Sequence, residues 1–238
     1  MKTKTLSITI LTACLIAVAG LAQAQYSSWS PGDNGGIRFR LGLYEPAADS
    51  SYWDEKFDVW TGNAGNFQDF VWGVDGLWMV GPSWGFQMGS SWYQGATTQA
   101  YRDWVDDAGR DVTHRTELST WDLTGSVIFK PLSGSTVRPY IGIGGGLLSW
   151  RLLEWGDFID FGSGGNDSIV PARYGDDGST FMAFAVAGVE AYVGHAWSFF
   201  LEGRWREADT SLGGGFYSLN QRLDLSGGEF SAGFSWNF

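Results

Sequence analysis

Gly228-Glu229-Phe230-Ser231-Ala232-Gly233-Phe234-Ser235-Trp236-Asn237-Phe238 is the stretch whose reading decides the fold. Phe230, Ala232, Phe234, Trp236 and Phe238 occupy every second position, with Glu229, Ser231, Gly233, Ser235 and Asn237 between them. Period two marks a strand with two unlike faces. A soluble strand gains little from a terminal bare aromatic. A strand that ends at a lipid interface gains an anchor there.

The same alternation recurs upstream. It predicts strands over Gly36–Tyr44, Phe70–Val80, Trp84–Tyr93, Arg115–Lys130, Val137–Trp150, Ser179–Val193 and Trp197–Arg206, with the last strand beginning near Leu223. Gly144–Gly146 and Gly227-Gly228 are candidate bulge positions. Short turns at Gly81-Pro82-Ser83, Pro131–Thr136 and Gly194-His195-Ala196 alternate with long polar connections at Glu45–Asp69, Gln94–His114, Leu152–Gly178 and Glu207–Arg222. Eight strands in four hairpins, with turns at one end and long loops at the other, predict an all-β, antiparallel transmembrane β-barrel of meander order. Each segment supplies the ~9–11 residues a tilted spanning strand needs. Closure follows, because an open sheet edge in hydrocarbon strands its backbone polar groups.

Composition agrees. The chain has 16% aromatic residues, 14 Trp, 35 Gly and only 6 Pro, a balance suited to rings facing lipid and glycines making room inside. Residues 1–24 read as a cleaved signal peptide: Lys2 and Lys4, an apolar run from Leu6 to Leu21, then Ala22-Gln23-Ala24. Leu11-Thr12-Ala13-Cys14 also fits a lipoprotein box, but cleavage there would leave an apolar run beside the lipidated cysteine. Removal of Cys14 leaves residues 25–238, the barrel domain, without cysteine. The formal charge is −11, or −13 once Lys2 and Lys4 are gone, which argues against nucleic acid as a partner. The connection Glu45–Asp69 carries six acids against Lys56, so the negative charge gathers at the long-loop end.

Charged residues on the inner parity form the principal site candidate: Arg38, Arg40, Arg204 and Arg206 with Asp75, Asp122, Glu190, Glu202 and Glu229. Eight strands enclose only enough space for side chains to fill. Buried charges must pair, so the set predicts an interlocked polar core closing the lumen; a narrow path gated by ion pairs is the alternative. The soluble eight-stranded lipocalin plan needs the opposite alternation, with an apolar lumen. Glu229 of the closing strand is expected within reach of Arg38 or Arg40.

Other constellations carry less. Asp157, Asp160, Gly164–Asp167 and Asp176-Asp177 match no ordered calcium loop, so no metal site is expected. Their softer use would be divalent bridging to lipopolysaccharide phosphates. His114-Arg115-Thr116-Glu117 only echoes a hydrolase, lacking a serine nucleophile, and His195 falls in a turn. No catalytic residue and no cofactor are expected, the glycine runs lacking a strand-to-helix setting and a lysine. Trp78, Trp84, Trp92, Trp121, Trp150, Trp197, Trp205 and Trp236 suit interfacial girdles. Trp53, Trp60, Trp104 and Trp155 lie in the long connections and are expected as exposed contact surface.

Arg138-Pro139-Tyr140-Ile141-Gly142-Ile143-Gly144, Ala187-Gly188-Val189-Glu190-Ala191, Leu201-Glu202-Gly203-Arg204-Trp205 and the final Phe230–Phe238 resemble the small outer-membrane barrels of the OmpA/OmpX type. The likeness covers the mature chain, without the periplasmic peptidoglycan-binding domain that follows some members. It implies an outer-membrane location with both termini periplasmic, outer-membrane lipid and lipopolysaccharide as surroundings, and an extracellular partner met through the long loops. It also implies that Phe234, Trp236 and Phe238 act as the signal read by the barrel-assembly machinery. Members are structural, adhesive or defence proteins, and some lipid A-modifying enzymes share the barrel size, so activity does not follow from the fold.

Overall fold

The computed structural model describes residues 34–132, 135–161, 167–194, 196–213, 216 and 221–238. The expected signal peptide with Cys14, together with His195 and Gly164–Asn166, lies outside the described residues. Among the described residues ten strands form: β1 Gly35–Pro46, β2 Asp69–Met79, β3 Trp84–Val105, β4 Asp111–Phe129, β5 Val137–Phe161, β6 Asp167–Val193, β7 Trp197–Glu207, β8 Asp209–Ser211, β9 Arg222–Asp224 and β10 Gly227–Asn237. Eight of them close a barrel in the order β1-β10-β7-β6-β5-β4-β3-β2, while β8 and β9 pair as a separate ribbon.

The register fixes the barrel's shape. Following paired residues once round the ring leads from Gly35 through Trp78, Phe86, Val127, Ile143, Ala185, Trp205 and Gly228 to Glu45. The path returns to β1 ten residues from its start. Eight strands with that stagger set a strand tilt of roughly 35–45° and an interior just wide enough for side chains.

The side chains are sorted inside out. Phe181 is 81% and Ile143 71% exposed, and Phe70, Trp72, Phe86, Met88, Phe199 and Phe230 stand outward with them. Arg38 and Asp75, by contrast, are 1% and 2% exposed. Each large apolar side chain left in water forfeits about 1.5–3 kcal/mol, so this belt requires an apolar surrounding. The arrangement excludes the lipocalin plan.

Several expectations are corrected. Gln94–His114 and Leu152–Gly178 are not loops: β3 runs on to Val105, β4 starts at Asp111, β5 reaches Phe161 and β6 starts at Asp167. Beyond the apolar belt these strands mix polar residues with apolar ones on no regular period, Tyr101, Val112 and Leu152 being buried and Ile169, Val170 and Tyr174 exposed, so the alternation is lost while the hydrogen-bond ladder continues. Gly144–Gly146 and Gly227-Gly228 keep a continuous register, and the one shift between β3 and β4 falls between Ala100 and Val105. The final barrel strand begins at Gly227, with Leu223 in the ribbon. Trp150 faces inward and is buried, so it is not part of a girdle.

The first long connection folds as α1, Ser51–Val59, followed by a 3-10 turn at Ala64–Phe67. Asp54 complements the first turn of α1, and Tyr52, Trp53 and Lys56 form its buried face. Trp53 is fully buried, donates from Nε1 to the Asp224 carbonyl at 2.9 Å and packs edge-on against Phe67. Trp60 is buried as well. Neither is the exposed contact residue expected of it: Trp53 lies in the core that α1 and the segment around β9 form with Tyr44, Leu118, Leu148 and Leu152, and Trp60 packs in a separate cluster with Tyr101 and Val112. Trp104 is exposed and Trp155 half-buried.

Candidate functional site: the inward-facing side chains

Inward-facing side chains stack in layers from the short-turn end upward. Lowest, Lys130 Nζ reaches Glu190 at 2.6 Å and the Ser198 hydroxyl donates to the same carboxylate at 2.5 Å. Above them Arg38 donates to Gln87 at 3.0 Å, to Tyr140 at 2.6 Å and to Glu202 at 3.4 Å. Its guanidinium lies 3.9 Å from the Phe200 ring centroid. Arg40 binds Asp75 at 2.5 Å and, through Nε, Glu229 at 3.1 Å. Arg204 bonds Glu202 at 3.1 Å and stacks over Phe184. The ion pairs of Arg38, Arg40 and Arg204 join β7, β10, β1 and β2, four neighbours in the ring, and the Arg38–Tyr140 contact crosses the lumen to β5.

Two members of the expected set pair otherwise. Asp122 accepts from the Ser91 amide at 3.1 Å and from the Ser91 hydroxyl, rather than from a cation. Arg206 donates to the Leu225 carbonyl at 3.1 Å and lies 3.8 Å from the Tyr44 ring centroid. Lys130 and Tyr140 belong to the network and escaped the sequence reading. Both share the inward parity of their strands, which was the signal available. The large side chains need space, and glycine supplies it: Tyr140 pairs with Gly188 and Phe200 with Gly233. A Cβ at either glycine would overlap the ring opposite.

At the loop end a second cluster joins α1 to the wall. Lys56 Nζ lies 2.5 Å from Glu154 and 2.5 Å from His114 Nε2, while the Tyr52 hydroxyl donates to Glu154 at 2.5 Å. Trp60 covers the imidazole edge-on, its ring centroid 3.5 Å away. Burial and the neighbouring ammonium hold His114 down to about 3, so the ring is neutral and its Nε2 accepts from Lys56. Burial also lowers Lys56, against the pull of Glu154, and raises Tyr52. The hydroxyl beside His114 is that of Thr116, at 3.2 Å. With Nε2 engaged by an ammonium, this histidine is not poised to take a proton from a nucleophile. Sequence reasoning could not reach Lys56 or Glu154, since both lay in segments read as solvated loops.

This cluster predicts a pH effect. Unfolded histidine takes up its proton near ~6.5, whereas folded His114 does so near 3. Between these values the unfolded state binds more protons, so the anchoring of α1 is complete above pH ~6.5 and weakens as pH falls. Hydrogen exchange over residues 51–59, corrected for intrinsic rates, is expected to accelerate between pH 7.5 and pH 4.5. His114→Gln should flatten that dependence; equal protection of the original chain at both pH values would refute it.

The chain matches the family described as Outer membrane protein beta-barrel domain over residues 10–238. No curated protein matches it. Neisserial surface protein A superposes with a TM-score of 0.53 at 14% identity, covering 88% of this chain and 100% of that one. The outer membrane protein OprG from Pseudomonas aeruginosa gives a TM-score of 0.51 at 13% identity, covering 87% and 97%. At such identities the likeness shows the fold alone.

Proposed function

The chain belongs to the outer membrane protein β-barrel family and so to the bacterial outer membrane, and from that premise we propose that it is a closed, non-enzymatic barrel presenting a surface for extracellular contact. One observation supports this reading: buried side chains gather at two levels of the interior, with the ion pairs of Arg38 and Arg40 in the lower half and Trp53 of α1 at the mouth. The upper parts of β3–β6 support the surface role, since they carry the paired sheet well beyond the apolar belt. Short turns and both ends of the ring then lie on the periplasmic side, with lipopolysaccharide around the upper wall. On this reading Phe234, Trp236 and Phe238, exposed on the outer wall, are the residues offered to the assembly machinery.

The test is a planar bilayer containing the refolded protein. Silent traces are expected. Steady conductance that changes when Glu202 or Arg204 is neutralised would overturn the closed-lumen reading in favour of a narrow channel. An altered lipid A mass spectrum on expression would overturn the non-enzymatic one.

A further inference from the structure

We infer that the outer wall of β2–β6 holds a binding groove for the saccharide headgroup of an outer-leaflet glycolipid. A concavity of about 810 Å³ lies on this wall at the upper edge of the apolar belt. That volume is in the range of small-molecule clefts. One register row crosses it: Trp72 pairs with Trp92, Trp92 with Trp121, Trp121 with Ser149 and Ser149 with Ser179. The row starts as an aromatic girdle and breaks off into serines. Trp72 and Trp92 stack at 4.3 Å, and the Ser149 and Ser179 hydroxyls lie 3.0 Å apart.

The lining distinguishes the groove from a plain girdle. A continuous ring of indoles serves any lipid. A step from indoles down to hydroxyls, with Asp177 and Arg151 on the rim, offers ring faces, hydrogen-bonding groups and a cation together. Sugar rings stack their C–H faces on indoles and hydrogen-bond through their hydroxyls to serine and carboxylate. Among the described residues the Arg151 side chain has no hydrogen bond or ion pair, leaving it available to a sugar-borne phosphate. Below the serines, Leu147 and Phe181 continue the apolar belt, where acyl chains of the same molecule would run. A phospholipid headgroup supplies no ring face for the indoles. The inference rests on the proposed orientation, in which the extended strands face outward.

The experiment is native mass spectrometry of the protein in phosphatidylcholine nanodiscs doped with diphosphoryl lipid A or with phosphatidylglycerol. Retention of lipid A at least ten-fold above phosphatidylglycerol is expected. Ser149→Trp, which fills the groove and extends the girdle, should abolish the preference, and Arg151→Gln should lower retention several-fold. Equal retention of both lipids, or an undiminished preference in both variants, overturns the site. Heat-dependent gel mobility checks that Ser149→Trp is folded; Arg151→Gln, at an exposed position, carries the test if it is not. Whole-cell labelling of Asp107→Cys tests the orientation separately. Labelling of intact cells supports the outer-leaflet source, and labelling only after permeabilisation overturns it whatever the nanodiscs show.

Discussion

Arg40→Met is expected to destabilise the barrel by about 3–5 kcal/mol, the cost of leaving buried charge uncompensated. Arg40 is the shared partner of Asp75 at 2.5 Å and Glu229 at 3.1 Å, and its side chain is fully buried. Methionine keeps most of the volume, so the loss reports the stranded carboxylates rather than a cavity. Urea unfolding in lipid vesicles, followed by tryptophan fluorescence, measures it. Adding Asp75→Asn and Glu229→Gln to Arg40→Met should recover a large part of the loss, because a buried ionic set replaced as a whole is often close to neutral. A cost below about 1 kcal/mol, the scale of an exposed pair, would mean that water reaches the network. The closed-lumen reading would then fall with it.

Trp53→Ala is expected to cost a comparable amount, about 3–5 kcal/mol for truncating a buried large aromatic, but locally. Trp53 is fully buried, and its ring meets Tyr52, Phe57 and Phe67. Its loss should release α1 while the barrel stays closed, since the ladder around the ring does not pass through α1. Hydrogen exchange should show residues 51–59 losing protection, and the unheated protein should keep its compact gel mobility. Loss of both together would show cap and barrel to be one cooperative unit and refute the local prediction.

The two predictions mark what was legible in the sequence. Arg38, Arg40, Glu202 and Glu229 stood out because a charge between apolar neighbours at period two has only one face to occupy. Lipid makes that pattern, so it ends where lipid ends. Gln94–Val105 and Ser168–Asp177 lie above the belt, where isolated aromatics such as Tyr101 and Tyr174 pack among polar residues, and their strands left no hydrophobic period to read. Trp53 and Trp60 were misplaced for a related reason. Their segment is acidic on its outer face, and only the packing of α1 into the mouth turns its aromatics inward. Ser149 and Ser179 were equally silent: two serines signify nothing until the register sets them beside Trp121.

The pairing of β1 with β10 has a consequence for the order of events during folding. The Arg40–Glu229 contact joins residues 189 apart, so it forms only after the strands between β1 and β10 have all been delivered. The β1–β2 hairpin can satisfy Arg40 early through Asp75, 35 residues away, but the second carboxylate arrives with the closing strand. Contacts of such separation make folding slow, and until they form the incomplete sheet has two unpaired edges. The last eleven residues of the ring, Gly227–Asn237, therefore act as its clasp. Before they dock the protein is an open sheet exposed to misassembly, and afterwards it has no free edge in the ring from which to unzip.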